Sequence, residues 1–193
     1  MKQDRRVLRT RASLQQAYLR LMEKHEEREI TVSMIADEAN INRATFYAHF
    51  CNKEDFLEEM LYELLEGFKR AMLEVFAEKK RIDNSRVTPT TEVMFQYIED
   101  HKQAFYALSK GHKDFQKRME EMFHSLFTEK IHIETECPLG EVNYDLFIHY
   151  QTKATLGLLY YWVETNFKYS KAYMMEQLTI LSNTKIKYLI KKQ

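Results

Sequence analysis

The 193-residue sequence has few residues that interrupt helices, with only 4 glycines and 2 prolines. Glycine and proline punctuate local structure most strongly, so their scarcity argues against many short strands joined by tight turns. Hydrophobic residues make up 45% of the chain and charged residues 30%, which supplies ample core material to a water-soluble protein. Together these values predict an all-α protein with long helices.

Cysteine and long apolar runs are also scarce. The 2 cysteines, Cys51 and Cys137, form neither a metal-binding spacing nor a disulfide framework, which fits a reducing cytoplasm. Every apolar run falls short of the ~18 residues that suggest a transmembrane helix. The N-terminus is charged from its second residue and lacks the apolar segment of a signal peptide. We therefore expect a cytoplasmic protein without a membrane partner.

Neither sign of charge is in excess, because 29 basic residues balance 29 acidic ones. The charges are nevertheless sorted along the chain. Residues 1–11 hold five basic side chains and one acidic one, whereas residues 54–66 hold six acidic side chains and no lysine or arginine. The basic segment suits contact with DNA phosphates or a minor groove, and the acidic segment suits a position away from DNA. Either run also fits a solvated helix face.

The stretch from residue 31 to residue 56 carries the clearest pattern in the chain. Thr31 is suited to cap a first helix, and a second helix is predicted over 43–50. Residues 40–42, Asn-Ile-Asn, separate the two, and asparagine tolerates the left-handed conformations that tight turns use. Asn52 is suited to cap a third helix. The stretch therefore predicts two short helices, a tight turn between them, and the start of another helix.

The second predicted helix has aromatic side chains on one side and small or polar ones on the other. Phe46 and Phe50 are four residues apart and can anchor the helix to a core. The opposite side fits the major groove of DNA, where arginine pairs with guanine and an alanine methyl touches thymine. A helical hairpin without a DNA role is the alternative. The expected DNA-contacting residues are Thr31, Arg43, Ala44, Thr45, Tyr47, His49 and Lys53.

This stretch resembles the helix-turn-helix of the TetR/AcrR family of transcriptional regulators. The matching residues are Thr31, Ile35-Ala36, Ala39, Ile41, Arg43 to Tyr47, His49-Phe50 and Lys53-Glu54. The family usually has glycine where this chain has Asn40, and asparagine is the next most tolerant residue for a positive φ. The resemblance implies an N-terminal three-helix DNA-binding domain, residues 1–67, and a C-terminal helical bundle for ligand binding and dimerisation, residues 68–193.

Apolar periodicity predicts the remaining helices. They are expected over about residues 5–28, 53–75, 91–109, 113–133, 142–166 and 171–191. Ser170 is suited to cap the last of them, and residues 79–91 are expected to form a polar linker. The long helix that starts at Lys53 is expected to connect the two domains.

The last two predicted helices have enough apolar surface to pack against a second copy of the chain. A homodimer is also expected because one recognition helix reads few base pairs, and paired half-sites raise specificity. The alternative is that both helices form the core of a monomer.

The C-terminal half is rich in methionine and aromatic residues, which can line a pocket for a small apolar or aromatic effector. Such residues also fit a plain hydrophobic core. The segment 154–167 resembles the C-terminal half of a TetR subgroup that includes regulators of dihydroxyacetone kinase genes, a likeness that implies no ligand. The expected pocket residues are Phe105, Met119, Met122, Phe123, Tyr150, Tyr161 and Trp162.

Two Glu-x-x-His patterns raise the question of a metal site. Glu121/His124 and Glu129/His132 fall eight residues apart on one predicted helix, about 12 Å along its axis. They therefore cannot share one centre within a subunit. The sequence also lacks a nucleophile elbow, a phosphate-binding glycine loop and a Cys-x-x-Cys motif. We expect no enzyme activity, no metal and no cofactor.

The predicted function is a ligand-responsive dimeric repressor that binds a palindromic operator in double-stranded DNA. The alternative is a helical co-regulator that acts through a protein partner, or an activator.

Overall fold

A computed structural model describes residues 5–78, 87–134 and 142–184. These residues form α-helices and no β-strand, so the predicted all-α class is confirmed. A 3₁₀ turn, Glu27–Glu29, follows the first helix, and a π-helical turn, Leu126–Lys130, follows the seventh. The helices are α1 Arg5–Met22, α2 Val32–Glu38, α3 Arg43–Tyr47, α4 Lys53–Glu78, α5 Pro89–Asp100, α6 Lys102–Gly111, α7 Phe115–Ser125, α8 Tyr144–Glu164 and α9 Lys171–Asn183.

The chain divides into two compact units. The first contains Met1–Gly67 and His101–Phe123, and the second contains Phe68–Asp100 and His124–Gln193. Helix α4 is continuous through the division at Gly67 and contributes residues to both units. The functional division into residues 1–67 and 68–193 stays a prediction.

The first unit is built around an aromatic cluster. The rings of Phe46, Phe50 and Phe56 lie 5.1 to 5.8 Å apart, and Tyr18 of α1 meets the Phe56 ring edge-on at 5.8 Å. All four side chains are buried. Helix α1 packs on α2 and α2 packs on α3. The predicted role of Phe46 and Phe50 as anchors is confirmed, because burial of two large rings stabilises a helix too short to be stable alone.

Helix α6 completes the first unit by packing on α1 and on the 3₁₀ turn. Gly111, its last residue, permits a close approach. A Cβ at this position would lie 2.5 Å from the Tyr18 hydroxyl oxygen and 2.7 Å from Cγ of Glu27. Burial, followed by the charge of Glu27, raises the pKa of Tyr18.

The acidic start of α4 is used within the first unit. Glu58 pairs with His112 at 3.1 Å and with Arg118 at 2.9 Å. Glu59 pairs with Arg11 of α1. These carboxylates join α4 to α1 and to residues 112–118. The acidic segment is therefore not simply a solvated helix face.

The second unit packs α5 and α8 on α9. The Trp162 ring lies 5.2 Å from that of Phe95, and its Nε1–H donates to the Tyr169 carbonyl at 2.8 Å. Ser170 caps α9 as predicted, since its hydroxyl accepts from the amide of Tyr173 at 3.3 Å. The inward residues of α8 follow helical spacing: Ile148, Thr152, Leu156, Leu159 and Val163.

Several predicted helices in the first half of the chain differ from the structure. Helix α3 ends at Tyr47 instead of Phe50, and the amides of His49 and Phe50 both bond to the Phe46 carbonyl. Helix α1 ends at Met22 instead of near residue 28, because the amides of Lys24 and His25 both bond to the Leu21 carbonyl and close the helix. The single helix predicted over 91–109 is two helices, α5 and α6. Its apolar side chains serve the cores of different units, so the helix breaks between them.

Two later helices also end earlier than predicted. Instead of running to residue 133, α7 ends at Ser125, and the π-helical turn closes through a bond from the Ile131 amide to the Leu126 carbonyl at 2.9 Å. Helix α9 ends at Asn183, and residues 185–191 of its predicted extent lie outside the described residues. Most of the predicted 79–91 linker lies outside them as well. None of the described helices is long and apolar enough to cross a membrane.

Candidate nucleic-acid interface

Local capping bonds build the turn between α2 and α3. The Thr31 hydroxyl accepts from the Met34 amide at 3.3 Å and starts α2. Asn40 has φ 53°, the left-handed conformation expected at this turn. The Asn42 side chain then accepts from the Ala44 amide at 2.8 Å and starts α3. These bonds satisfy helix-end amides that would otherwise be unpaired.

Helix α3 turns its polar side outward. Arg43, Ala44 and Tyr47 are exposed, while Thr45 and His49 are half-buried. Four of these residues lie on α3 itself, and His49 lies in the turn that follows it. The structure therefore brings five predicted DNA-contacting residues onto one short segment held by the aromatic cluster.

Arg43 and Tyr47 form a pair on this surface. A terminal guanidinium nitrogen of Arg43 donates to the Tyr47 hydroxyl at 3.2 Å, and the guanidinium carbon lies 5.5 Å from the ring centroid. Two contacts to one exposed ring restrict the rotamers of a long side chain. The arginine is thus partly ordered before any ligand arrives.

Helix α4 starts with a second capping arrangement. The Asn52 side chain accepts from the Asp55 amide at 2.7 Å, and the Asp55 carboxylate accepts from the Cys51 amide at 2.9 Å. The predicted cap at Asn52 is confirmed by the first of these bonds. Lys53 follows the cap, but its ammonium bonds to acceptors of the same unit, described below, and its side chain is 17% exposed. In this structure its donors are therefore occupied by the protein itself.

The basic N-terminal segment is helical from Arg5 onward. Arg5, Arg6 and Arg9 are exposed on the first turns of α1. Arg11 differs, because it pairs with Glu59 and lies 5.5 Å over the Phe50 ring. It serves the fold of the first unit, which the count of basic residues could not reveal. Residues 1–4 lie outside the described residues.

An unpredicted pair joins α1 to α2. Nε of Arg20 donates to the Glu38 carboxylate at 2.6 Å, and its NH2 group donates to the Glu38 carbonyl at 3.2 Å. The hydrogen bond from Arg20 lowers the pKa of Glu38. The pair fixes the helix that supports α3, and no local motif indicates it because the partners are 18 residues apart.

Five of the seven predicted pocket residues are buried, and the other two are exposed. Phe105, Met119, Met122 and Phe123 are buried in the first unit, and Trp162 is buried in the second. Tyr150 and Tyr161 are 69% and 47% exposed on α8. The effector pocket stays a prediction. Within the described residues no group of three or more histidine, cysteine, aspartate or glutamate side chains is placed to hold a metal ion.

Comparison with known proteins decides the family. Residues 16–60, which contain α2 and α3, match the family model described as bacterial regulatory proteins, tetR family. Residues 85–184 match a second model, TetR_C_8, described as transcriptional regulator C-terminal region. The chain belongs to the TetR family of transcriptional regulators. The resemblance noted in its helix-turn-helix is thereby confirmed.

A relative found by sequence comparison has low identity to this TetR-family chain. The HTH-type transcriptional regulator YxbF of Bacillus subtilis strain 168, which is described as uncharacterized, is 21% identical over 154 residues, or 79% of this chain. The matched region is 39% of the length of YxbF, so this chain spans well under half of that relative.

Solved structures of other regulators share the fold along most of the chain. A TetR-family regulator from Syntrophomonas wolfei has a TM-score of 0.66 at 17% identity, covering 90% of this chain and 92% of that one. The dihydroxyacetone kinase operon activator DhaS and the fatty acid degradation regulator FadR from Bacillus halodurans both have TM-scores of 0.60, at 18% and 15% identity. Each covers 89% of this chain and 93% of its own. Identity this low supports the fold alone.

Proposed function

We propose that this TetR-family protein is a homodimeric, effector-responsive repressor that reads a palindromic operator through α3. Residues 1–67 bind DNA, and residues 68–193 bind the effector and form the dimer. The observation that carries the proposal is the outward polar side of α3, held against the buried aromatic cluster by Phe46. The protein acts on DNA in the cytoplasm and has no enzymatic activity.

The expected DNA contacts divide into two kinds. Arg43 and Ala44 lie near base edges, where a paired guanidinium reads guanine and a methyl reads thymine. Tyr47, His49 and Lys53 contact phosphates and position the helix. Thr31 contributes through the helix start that it caps.

The test is DNA binding by the purified protein to its own promoter region and to a random-sequence duplex, at two salt concentrations. Specific binding with a two-fold-symmetric footprint is the expected result, together with a fall in affinity as salt rises. Equally weak binding to both duplexes at physiological salt would contradict the proposal. In that case the alternative, a co-regulator acting through a protein partner, becomes the better hypothesis.

The proposed dimer uses the exposed sides of α8 and α9. Leu146 and Tyr150 are 70% and 69% exposed on α8, and Ile180 and Leu181 are 47% and 55% exposed on α9. Large apolar side chains grouped on two adjacent helices are typical of a surface that another protein covers. A second copy of the chain is the proposed occupant, because paired recognition helices are what a two-fold operator requires.

The response to an effector is proposed to pass through α4. This helix runs without interruption from Lys53, beside the DNA-binding surface, to Glu78. An apolar or aromatic effector shifts the operator-binding equilibrium only if it binds one spacing of the two recognition helices better than another. Ligands that raise the melting temperature are therefore tested for a change in operator affinity, and a set that never changes it would contradict this route.

Activation in place of repression is the second candidate output. It is favoured by one observation, the structural likeness to DhaS, which is described as an operon activator. A reporter gene behind the bound promoter separates the two outputs. Expression that rises when the regulator gene is deleted supports repression, and expression that falls supports activation.

A further inference from the structure

The ammonium of Lys53 is fully engaged in this structure. Nζ donates to the backbone carbonyls of Glu27 at 3.2 Å and Ile30 at 3.0 Å, and it lies 2.8 Å from Oε1 of Glu27. A lysine ammonium has three N–H donors, so these acceptors use its full capacity. The side chains of Lys53 and Glu27 are only 17% and 26% exposed.

These contacts compete with the role that the proposed function gives to Lys53. A phosphate at the start of α4 would need the same donors that now bond to the carboxylate and carbonyls. A carboxylate and a phosphate are both anionic acceptors, and a lysine ammonium forms charge-assisted hydrogen bonds with either. Lys53 cannot serve both with all its donors, so binding DNA requires an exchange of partners.

Glu27 is held in place for this competition. It begins the 3₁₀ turn that α6 packs on, and the capping bonds of that turn run between Glu26 and Glu29. The close approach of Gly111 to Cγ of Glu27 limits the freedom of its side chain. The carboxylate is therefore positioned by packing, unlike a mobile surface glutamate whose ion pair contributes little.

We infer that Glu27 sets the DNA affinity of this protein by competing with a DNA phosphate for Lys53. The inference rests on the proposed function, because it requires that the start of α4 faces the DNA backbone. The Glu27–Lys53 pair lowers the affinity for every DNA sequence alike. The operator and random-sequence affinities fall by the same factor, so the pair sets the absolute affinity and leaves the ratio between the two unchanged.

The test compares Glu27→Gln with Glu54→Gln, a matched control that removes the same charge from an exposed position next to Lys53. Within the described residues Glu54 forms no ion pair. The amide introduced by Glu27→Gln retains an acceptor oxygen, so the turn should fold, and circular dichroism verifies this. A fluorescent random-sequence duplex is the probe, because a phosphate contact does not depend on sequence.

We expect Glu27→Gln to bind the random duplex about fivefold more tightly than the unsubstituted protein at the same salt concentration. Its salt dependence should be unchanged, because Lys53 contacts a phosphate in both complexes. Glu54→Gln should remain close to the unsubstituted protein in both respects. Equal gains for the two variants would overturn the inference, since they would reflect only the loss of one negative charge.

The background Lys53→Gln makes the test specific to the pair. In that background Glu27→Gln should add no more affinity than Glu54→Gln does, because there is no ammonium to release. A full gain in the absence of Lys53 would also overturn the inference. If Lys53→Gln fails to fold, the comparison of the two single glutamate variants still decides. Failure of the unsubstituted protein to bind any DNA would instead contradict the proposed function.

Discussion

Among the residues proposed to contact DNA, Arg43 is one of the two, with Ala44, that are proposed to read base edges. Its guanidinium is exposed, yet it is ordered by the Tyr47 hydroxyl and ring. An arginine that is already ordered loses less conformational entropy when it pairs with a base. The bidentate geometry of arginine with guanine makes such a residue a source of discrimination, whereas a lysine at a phosphate is not.

Replacing Arg43 with alanine should relax sequence preference. We expect Arg43→Ala to reduce operator affinity by about 1 to 3 kcal/mol while random-duplex affinity falls much less. Competition binding with operators altered one base pair at a time measures this, because one position should lose its preference. Tyr47→Phe removes the ordering bond together with the proposed phosphate contact of Tyr47, so it should weaken binding to operator and random duplex alike. Equal losses on operator and random DNA for Arg43→Ala would contradict the base-edge assignment.

The Arg20–Glu38 pair predicts a pH dependence of stability. The hydrogen bond from Arg20 lowers the pKa of Glu38 in the folded state, so the folded state favours the ionised carboxylate. The stabilisation is present above the ordinary glutamate pKa of about 4.3 and is lost as pH falls through the lowered value.

Glu38→Gln should therefore be less stable than the unsubstituted protein near neutral pH, and the difference should disappear as pH falls through the lowered pKa of Glu38. Urea unfolding at several pH values measures it. Arg20→Gln removes the other partner and should give the same pH pattern. A difference that is constant between neutral and acid pH would show that the charge of Glu38 is not what stabilises the α1–α2 contact.

At the scale of helices, replacing either of two glycines with alanine should have opposite effects on stability. Gly111 ends α6 where a Cβ would lie 2.5 Å from the Tyr18 hydroxyl oxygen, whereas a Cβ at Gly157 in α8 would meet none of the described residues within 4 Å. The first position is restricted by another helix. The second has no such restriction from the part of the chain that the structure describes.

Gly111→Ala should lower the free energy of unfolding by about 1 to 3 kcal/mol through overpacking. Gly157→Ala should raise it by up to about 1 kcal/mol, the difference in helix propensity between the two residues. Denaturant unfolding at a fixed protein concentration compares them. Stabilisation by both substitutions would show that α6 can move away from α1 at little cost, and destabilisation by Gly157→Ala would indicate that the partner copy packs closely there.

At the scale of the whole molecule, the proposed dimer makes a prediction about size. Light scattering after size exclusion should give a dimer at micromolar concentration. Leu146→Glu and Ile180→Glu together should shift it to a monomer, because each places a charge in an apolar interface. The control is Tyr62→Glu, which changes a side chain of α4 that is 55% exposed and should leave the dimer intact. An unchanged dimer in the double variant would place the interface elsewhere.

Local features of the fold could be predicted from the sequence because they depend on residues a few positions apart. The caps at Thr31, Asn52 and Ser170 and the positive φ of Asn40 follow from side-chain chemistry and backbone sterics. The burial of Phe46 followed from helical spacing. The same local density of matching residues made the family recognisable.

The helix bounds that were wrong depend on contacts between residues far apart in the sequence. The helix predicted over 91–109 breaks because its halves pack in different units, and α1 ends early because the chain turns back into the 3₁₀ turn. The apolar periodicity of each segment does not indicate which part of the fold it packs against. The motif predicts Lys53 at a phosphate, which stays a prediction, and it does not indicate the pairing with Glu27, 26 residues earlier.

The sequence by itself therefore determined the helical class, the turn, the caps and the side of α3 that faces outward, since each depends on interactions within about one or two helical turns. Only the tertiary structure decided which polar side chains pair: Arg20 with Glu38, Glu58 with His112, and Glu27 with Lys53. Those pairs join residues 18 to 54 positions apart. The packing of the first unit, including that of α1 on α2, brings them together, and no local rule acts over such distances.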